Sequence, residues 1–535
     1  MTNNTPSKFY DVVSLNQLNE FEINFKERVK QEEYQVPGAA FAIVHGNDLI
    51  VASGHGVRDL KTHAPVTRET LFPIGSMSKS MTAVMNATQV EAGIFGWETL
   101  VKDISPHFKF ANRETTEKLQ VKHLIGMRSG IRDPIGPNNG ENDKYWEGQS
   151  APYVIRTLAN APFEAMPGEK FHYGNECYAS TGYLSPLKQG VDASQLLQEY
   201  NNLMHKHIFA PIGMTKTCIT PICSSISDNY AASYGLDTSN GQASQMKEVP
   251  ISISNVSGIA PSGQVVSNVI DLSLYARMLL NKGVTIDGVR ILSEESVDKL
   301  WNDTIDAPGF PGLTKVTKYG LGWEIQEVNL TNPDRKIQAI AHGGLLPSWV
   351  SWLMVVPDIN AGLIILTNSW SGFYLIFDAA KEFLKWFYPD HLDESQFIDY
   401  RSEYLKYIQR SPKQIQEKVS SYTVKPDEVQ PLLGNYQGGW NLEVNQDNQL
   451  VLFKTGWVFY LFPSKAGQHN YIIGASNDTS YLNPDHLDDE RNKIGFSIDP
   501  VTEQVTMTSS MGTVTKLVEP DNSIRPTPLK LWLAL

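Results

Sequence analysis

The chain has 535 residues, of which 41% are hydrophobic and 19% are charged. This length predicts about two to four domains at roughly 150 residues each, and the composition is typical of folded chains with large cores. The formal net charge is −13 and no run of Lys or Arg exceeds two residues. The sequence therefore lacks the basic patch that nucleic-acid binding requires, and it favours small-molecule or peptide partners.

Cysteine content and hydrophobic runs bear on the compartment. The three cysteines, Cys177, Cys218 and Cys223, form a poor disulfide framework and leave room for one bridge. No basic stretch followed by an apolar one opens the chain, and no run of about 18 apolar residues occurs. We expect a cytoplasmic protein that makes no membrane contact, although a chain that had lost a signal peptide would look the same.

Three patterns follow one another at the start of the chain. Residues 15–33 place apolar side chains three to four positions apart, which predicts an amphipathic helix. Residues 38–57 hold two apolar stretches around a turn signal, which predicts a β-hairpin. A further helix is expected to end at Gly93, so that Ser76 lies near its start. Its apolar face consists of Met81, Val84, Met85 and Ala92.

Later segments complete an α+β pattern. Helical spacing predicts a helix from Val266 to Leu280 within a mixed middle section. Residues 349–357 and 362–368 are apolar and predict two strands, and helical spacing follows from Ala379 to Phe387. We expect strands from the two ends of this region to share one sheet, which makes the fold class α+β.

Changes of composition divide the chain into three parts. Residues 1–390 form the first predicted domain. Residues 391–428 are polar with helical spacing, and we interpret them as a helical connector. Residues 429–535 alternate apolar and polar side chains between turn signals, which predicts a separate small antiparallel β-barrel or sandwich.

Ser76 and Lys79 are the first candidate site residues. Positions i and i+3 lie on one face of a helix, so the Lys79 amine can reach the Ser76 hydroxyl. Burial lowers the pKa of a lysine, and a neutral amine can take the proton of an attacking serine. The pattern alone also arises by chance and fits a helix N-cap with a solvated lysine, so other motifs must decide.

Two further motifs follow in order. A Tyr-x-Asn lies at residues 173–175, and a His-x-Gly at residues 342–344 directly precedes the predicted strand pair. Together with Ser-x-x-Lys and supporting stretches such as VPGAAFAIV, PSGQVVS and YGLGW, they resemble the serine β-lactamase and penicillin-binding-protein superfamily. The likeness covers roughly residues 20–385. It points particularly to the branch of class C β-lactamases, D-amino-acid peptidases and related esterases.

The resemblance implies a fold and a set of roles. The first domain would have a β-lactamase/transpeptidase-like fold, in which helices flank an antiparallel sheet beside an all-helical region. Ser76 would be the nucleophile and Lys79 its proton acceptor. Tyr173 would relay the proton to the leaving group, and Asn175 would hold the substrate amide and the Lys79 ammonium. Whether Lys79 or Tyr173 is the general base stays open.

The third motif would supply the other wall of the site. By the same resemblance, His342 would occupy the position of a cationic residue that binds substrate, although a histidine in an apolar strand also fits a packing role. Glycines at this point, Gly344 among them, let a strand approach substrate closely. The backbone N–H groups of Ser76 and Leu345 would form the oxyanion hole, which leaves no trace in side chains.

Other patterns in the sequence are weaker evidence for a functional site. Lys454-Thr455-Gly456 spells a Lys-Thr-Gly motif, but it lies in the β-rich C-terminal part, where we interpret it as a hairpin turn. His205 and His207 lack the further ligands of a metal site. We therefore predict neither a metal nor another cofactor.

The predicted activity is that of a serine hydrolase or acyltransferase that forms an acyl-enzyme on Ser76. Its substrates would be small peptides, amides or esters, some of them containing a D-amino acid. A thioesterase or cyclase that releases nonribosomal peptides and a non-catalytic sensor or filament-forming protein are the alternatives. The stretch LLGNYQG resembles the opening of a lipocalin-like barrel, a domain that in relatives can cover the site or mediate assembly into a homo-oligomer.

Overall fold

The structure is a computed structural model. It describes residues 8–30, 35–131, 151–159, 161, 163–220, 228–237, 245–248, 258–310, 312–315, 317–346, 348–400, 402, 423–436, 440–446, 448–454, 457–463, 470–476, 493–509 and 512–516. The chain divides into two compact units. The first lies within residues 1–401 and the second consists mainly of residues 402–535.

Fourteen strands precede residue 402 within the described residues. They are β1 (Gly38–His45), β2 (Asp48–Asp59), β3 (Ala64–Pro65), β4 (Phe72–Pro73), β5 (Cys218–Ile219), β6 (Tyr234–Asp237), β7 (Gln245–Glu248), β8 (Val265–Ser267), β9 (Ile305–Asp306), β10 (Thr317–Tyr319), β11 (Glu324–Asn329), β12 (Lys336–Leu346), β13 (Trp349–Val356) and β14 (Ala361–Thr367).

A nine-stranded antiparallel sheet forms the centre of the first unit. Its order is β3-β2-β1-β14-β13-β12-β11-β10-β9. The predicted hairpin is β1 and β2, and β1 pairs with β14 from Ala39 opposite Thr367 to His45 opposite Ala361. The two ends of this region therefore share one sheet, as predicted. A three-stranded sheet of order β4-β8-β5 and the short pair β6 and β7 complete the strands.

Most of the helices described before residue 402 lie between β4 and β5 in the sequence. They are α1 (Leu15–Lys30), α2 (Ser78–Glu91), α3 (Val101–Ile104), α4 (Arg113–Lys118), α5 (Val121–Ile125), α6 (Ala151–Leu158), α7 (Asn175–Ala179), α8 (Leu184–Lys188), α9 (Leu196–Met204), α10 (Ala210–Ile212), α11 (Ala260–Gly263), α12 (Val269–Leu280), α13 (Glu294–Asn302) and α14 (Gly372–Phe387).

Helices cover both faces of the large sheet. On one face, Phe21 of α1 packs on Phe41 of β1 with ring centroids 5.3 Å apart, and Arg28 of α1 pairs with Glu382 of α14 at 2.6 Å. Side chains alternate along a strand, so Ala40 and its neighbours at even positions of β1 point to the opposite face. There they join the main core, together with α2 and α12.

The predicted helices are confirmed with one correction. The amphipathic helix is α1, the helix before Gly93 is α2, and the segment from Ala379 belongs to α14. The helix predicted from Val266 is wrong at its start, because residues 265–267 form β8 and pair with β4 and β5. The helix begins at Val269, where the Asn268 side chain accepts the N–H of Asp271 as an N-cap.

The second unit contains an eight-stranded antiparallel sheet whose strands follow chain order. Tyr436 also forms an antiparallel bridge with Lys516, just after the last strand. The strands are β15 (Gly434–Tyr436), β16 (Trp440–Val444), β17 (Leu450–Lys454), β18 (Trp457–Pro463), β19 (Asn470–Ser476), β20 (Lys493–Ile498), β21 (Val505–Ser509) and β22 (Gly512–Thr515). Its core includes Leu432, Tyr436, Trp440, Leu442, Leu450, Leu452 and Met507.

Most of the predicted connector cannot be compared, because residues 403–422 lie outside the described residues. At the two ends of the predicted connector, the structure describes a 3-10 turn, Glu394–Gln396, and a short helix, α15 (Pro426–Val429). No helix among the described residues combines the length and the apolar character needed to cross a membrane.

Candidate active site

The Ser76 turn joins β4 to α2. A 3-10 turn, Gly75–Met77, precedes the helix, and Gly75 has a φ of +51°. A β-carbon at Gly75 would lie 2.8 Å from the nitrogen of Leu345, so a glycine is needed where the turn meets β12. The hydroxyl of Ser78 donates to the carbonyl oxygen of Gly75 at 2.7 Å. Ser76 is therefore held at the start of α2, beside β12.

Strands β12 and β13 hold this turn from the other side. A β-carbon at Gly344 would overlap the carbonyl oxygen of Ile74, which explains a glycine at this point of the third motif. The hydroxyl of Ser351 in β13 donates to the same carbonyl oxygen at 2.7 Å. Ser76 and Leu345 both remain partly exposed.

Lys79 is fully buried and directed at Ser76. Its Nζ lies 2.8 Å from the Oγ of Ser76, 2.8 Å from the Oδ1 of Asn175 and 2.8 Å from the carbonyl oxygen of Ser262. The last two oxygens only accept hydrogen bonds, whereas a serine hydroxyl can also donate. As an ammonium Lys79 donates to all three oxygens; a neutral amine that keeps its bonds to Asn175 and Ser262 would direct its lone pair at the Ser76 hydroxyl.

The second motif lies against the same amine. Asn175 begins α7, and its carbonyl oxygen accepts the hydroxyl of Ser262 at 2.6 Å. The ring centre of Tyr173 is 4.8 Å from Lys79 Nζ, and that of Tyr178 is 5.7 Å away. The hydroxyl of Tyr178 donates to the backbone oxygen of Lys79 at 2.7 Å. Helices α2, α7 and α11 therefore hold this lysine in one position.

Aromatic side chains extend from Tyr173. The ring of Phe310 lies 5.2 Å from that of Tyr173 and 5.5 Å from that of Phe171. Tyr173 also packs edge-on against Tyr319 of β10, with ring centroids 6.3 Å apart. Phe171, Tyr173 and Phe310 are only partly buried, so they form an apolar surface next to the serine and lysine.

The third motif differs from expectation in its charge. His342 is fully buried, and burial together with the positive charge of Lys79 lowers the pKa of His342 to about 3. Its Nδ1 lies 2.6 Å from the Gly343 carbonyl oxygen, which only accepts, so Nδ1 carries the proton. Its Nε2 then accepts the hydroxyl of Tyr319 at 3.0 Å. The imidazole is neutral and does not supply the expected positive charge.

A buried acid that the sequence analysis missed completes this side. Glu324, the first residue of β11, is 3% exposed. Its Oε1 accepts the N–H of Gly343 at 3.0 Å and lies 3.4 Å from Nδ1 of His342. Ser262, Tyr319 and Glu324 all fall in or beside PSGQVVS and YGLGW. Those stretches pointed to the family, but their roles depend on contacts between distant segments.

The remaining candidate residues form no catalytic or metal site in the described part of the chain. Lys454 ends β17 and pairs with Trp457, the first residue of β18, in agreement with a hairpin turn; residues 455 and 456 lie outside the described residues. His205 and His207 belong to one turn of π-helix between α9 and α10. Cys218 is disulfide-bonded, whereas Cys177 is buried and forms no disulfide. In the described part of the chain, no group of three His, Cys, Asp or Glu side chains could hold a metal ion.

Two relatives match a large share of the chain. Penicillin-binding protein 4 of Amycolatopsis lactamdurans is 25% identical over 358 residues, which cover 66% of this chain and 86% of that protein. Protein flp of Staphylococcus aureus (strain MW2) is 24% identical over 340 residues, which cover 62% of this chain. The match spans only 60% of the length of Protein flp.

Two solved structures share the fold. The octameric penicillin-binding protein homologue from Pyrococcus abyssi is 21% identical with a TM-score of 0.55, covering 93% of this chain and 100% of that chain. D-amino acid amidase from Ochrobactrum anthropi SV3 is 18% identical with a TM-score of 0.55, covering 70% of this chain and 98% of that chain. At these identities the likeness concerns the fold alone.

The family follows from a match to a whole-domain sequence pattern. The pattern of the Beta-lactamase family matches residues 22–384, which is more than half of the chain. This range contains the Ser76 turn, the 173–175 motif and strand β12, and it corresponds to the likeness predicted from the three motifs. We conclude that the chain belongs to the Beta-lactamase family of serine hydrolases.

Proposed function

We propose that the protein is a serine hydrolase that forms an acyl-enzyme on Ser76. The contact between Lys79 Nζ and Ser76 Oγ, at 2.8 Å, is the observation that carries this proposal. Two neutral acceptors hold the lysine in place, and the surrounding helices exclude water from it. A buried amine directed at a serine hydroxyl is an arrangement that activates a nucleophile.

Acylation would begin with a proton transfer. The neutral amine of Lys79 takes the hydroxyl proton of Ser76 as Oγ attacks the substrate carbonyl carbon. The negative charge moves to the carbonyl oxygen, where the N–H groups of Ser76 and Leu345 would stabilise it. The tetrahedral intermediate then expels an amine or an alcohol and leaves an ester on Ser76. We assign Tyr173 the transfer of the Lys79 proton to that leaving group.

Deacylation would reverse these roles with a new acceptor. Water, or an amine in an acyltransferase reaction, attacks the ester carbonyl while Lys79 or Tyr173 takes its proton. The Ser76 oxygen leaves and recovers a proton from the lysine side. Asn175 is proposed to contact the substrate amide while its Oδ1 holds the Lys79 ammonium. Gly344 lets β12 pack directly against the Ser76 turn, and we assign neutral His342 the positioning of that strand in place of a charge contact.

The proposed substrates are peptide-like amides or esters, including compounds of D-amino acids. Similarity to a D-amino acid amidase supports this class. The partly exposed rings of Phe171 and Phe310 beside Tyr173 favour an apolar or aromatic group near the scissile bond. A free amino or carboxylate group of the substrate has no assigned partner in this proposal.

Hydrolysis of a small panel tests the proposal. The panel contains D- and L-phenylalanyl p-nitroanilides, short-chain esters, nitrocefin and a peptidyl thioester. We expect turnover of at least one by the wild-type chain and none by Ser76→Ala. Ser80→Ala, which removes a buried hydroxyl bonded to the Met77 backbone one turn away, should keep most of the activity. Turnover by Ser76→Ala equal to wild type would end the proposal. A cyclic product from the thioester would indicate a cyclase.

For the second unit we propose a closed lipocalin-like barrel, the C-terminal domain of residues 429–535. The bridge between Tyr436 and Lys516 joins the first strand to the end of the last one and supports closure. A homo-oligomer is proposed from the octameric relative, and sedimentation of the full chain should show a mass above that of one chain. A cytoplasmic location remains a prediction from the sequence, and cell fractionation would test it.

A further inference from the structure

Ser262 contacts the candidate site through two different groups. Its backbone carbonyl oxygen accepts a hydrogen bond from Lys79 Nζ at 2.8 Å, and its hydroxyl donates to the backbone oxygen of Asn175 at 2.6 Å. The Oδ1 of Asn175 accepts from the same lysine, also at 2.8 Å. Lys79, Asn175 and Ser262 are therefore joined in a ring by three hydrogen bonds. The proposed reaction uses the lysine and the asparagine but gives the Ser262 hydroxyl no role.

The two helices that carry these acceptors depend on bonds to their neighbours. Helix α7 has five residues and α11 has four, and isolated helices of about one turn are unstable. The hydroxyl of Tyr178 in α7 donates to the backbone oxygen of Lys79 in α2 at 2.7 Å. The hydroxyl of Thr82 in α2 donates to the carbonyl oxygen of Pro261 in α11 at 2.8 Å. Both short helices are thus tied to α2, and the Ser262 hydroxyl ties them directly to each other.

The burial of Ser262 limits what its hydroxyl can do. Ser262 is 1% exposed, which leaves a ligand bound at Ser76 almost no access to it. The hydroxyl can therefore act only through the group that it bonds. Its loss would let α7 and α11 move apart, and the two acceptors of the Lys79 amine would move with them. A displacement of about 1 Å in a reacting group can cost about 10²-fold in rate, so a fraction of that movement is enough to slow the reaction.

We propose that Ser262 is a positioning residue whose hydroxyl fixes Asn175. Through Asn175 it keeps the Lys79 amine directed at Ser76. The hydroxyl acts on the step in which the serine attacks, and it does not contribute to the binding of substrate. The inference rests on the proposed roles of Ser76 and Lys79, and it adds to that reaction a residue that none of the three motifs contains.

A purely structural role makes a different prediction. Ser180 offers the matched control, because it is fully buried and its hydroxyl donates to the carbonyl oxygen of Cys177, also in α7, at 2.7 Å. Ser262→Ala and Ser180→Ala each remove one buried hydroxyl that is bonded to the backbone of α7. If Ser262 only stabilises the fold, the two variants should lose similar stability in urea and should label at similar rates. If it positions the amine, only Ser262→Ala should label slowly.

Saturation kinetics of Ser76 labelling by a fluorophosphonate probe separate the two roles on the full chain. Labelling over a range of probe concentrations gives a maximal rate and a half-saturating concentration. We expect Ser262→Ala to lower the maximal rate roughly tenfold and to change the half-saturating concentration less than about twofold, because a displaced amine slows attack and not binding. Ser180→Ala should keep both values within about twofold of the wild type. Equal maximal rates in Ser262→Ala and Ser180→Ala would overturn the proposal.

A second pair of variants tests whether the hydroxyl acts through Asn175. Asn175→Ala removes the acceptor that the hydroxyl is proposed to hold in place. In that background Ser262→Ala should cost less than about threefold in maximal rate, because the effects of residues that act as a unit do not add. A roughly tenfold loss in both backgrounds would overturn the proposal. Absence of labelling in the folded wild type would instead contradict the proposed function, because each comparison starts from a reactive Ser76.

Discussion

The candidate site has two sides of different chemistry, which we call its two walls. On one wall, α7 and α11 give the Lys79 amine two neutral acceptors, the Asn175 side chain and the Ser262 carbonyl oxygen. On the other wall, β11 and β12 carry Glu324 and His342, whose charges depend on pH and on burial. The first wall sets the direction of the amine, and the second holds two ionisable groups that burial keeps mainly neutral at pH 7. The predictions below test this division.

Removal of the lysine should have the largest effect. Lys79→Ala takes away the proposed proton acceptor of Ser76, and loss of a general base typically costs about 10²–10⁴-fold in rate. We expect the second-order rate of fluorophosphonate labelling to fall by about 10³-fold. The exposed Lys118→Ala serves as the control and should label like the wild type. A Lys79→Ala rate within threefold of wild type would remove the lysine from the mechanism.

A methyl group on β12 should have the next largest effect. In Gly344→Ala the new carbon would overlap the Ile74 carbonyl oxygen, so the Ser76 turn and β12 must separate. Displacement of reacting groups by about 1 Å can cost about 10²-fold, and we expect a loss of that order in labelling rate. Gly96→Ala is the control. Its new carbon would meet only the Thr99 hydroxyl, at an ordinary 3.5 Å, so the labelling rate should stay within about threefold of the wild type.

Loss of the Tyr173 hydroxyl should have a smaller effect. Tyr173→Phe keeps the ring beside Lys79 and Phe310 but cannot pass a proton to the leaving group. We expect turnover of the amide in the panel to fall by several tens-fold, while an ester with a good leaving group should lose less, because it needs less protonation. Tyr230→Phe is the control. Equal turnover by Tyr173→Phe and the wild type on both substrates would exclude the proton relay.

The last prediction concerns stability in acid and not activity. The pKa of His342 is about 3 in the folded state and about 6.5 in an unfolded chain. Between these values the unfolded state binds a proton that the folded state does not. Stability should therefore fall as pH decreases from about 6.5 to 3, with a slope of up to about 1.4 kcal/mol per pH unit.

Urea unfolding at several pH values measures this slope. His342→Asn should show a smaller loss of stability between pH 6.5 and 4 than the wild type, whereas the exposed His107→Asn should match the wild type. If all three chains lose stability in parallel, the buried imidazole is not the source of the acid sensitivity, and the second wall does not depend on pH as we describe.

The two walls also differ in how well the sequence predicted them. The contact between Ser76 and Lys79 could be predicted from helical spacing, because the two residues are close in the chain. The presence of a glycine at position 344 could be recognised as part of a short motif. The neutral state of His342 could not be predicted, because burial by distant segments decides it. Glu324 was missed because strand β11 brings it to Gly343, 19 residues further along the chain. Likewise, the error at Val266 arose because β8 pairs with β4, far away in sequence.

The site of covalent labelling tests the central claim most directly. The wild-type chain is treated with the fluorophosphonate probe at about pH 7, digested, and mapped by mass spectrometry. We predict a single adduct on Ser76 that is absent in Ser76→Ala. An adduct on another residue, such as Ser78 or Ser80, or no adduct in a folded chain, would contradict the assignment of Ser76 as the nucleophile.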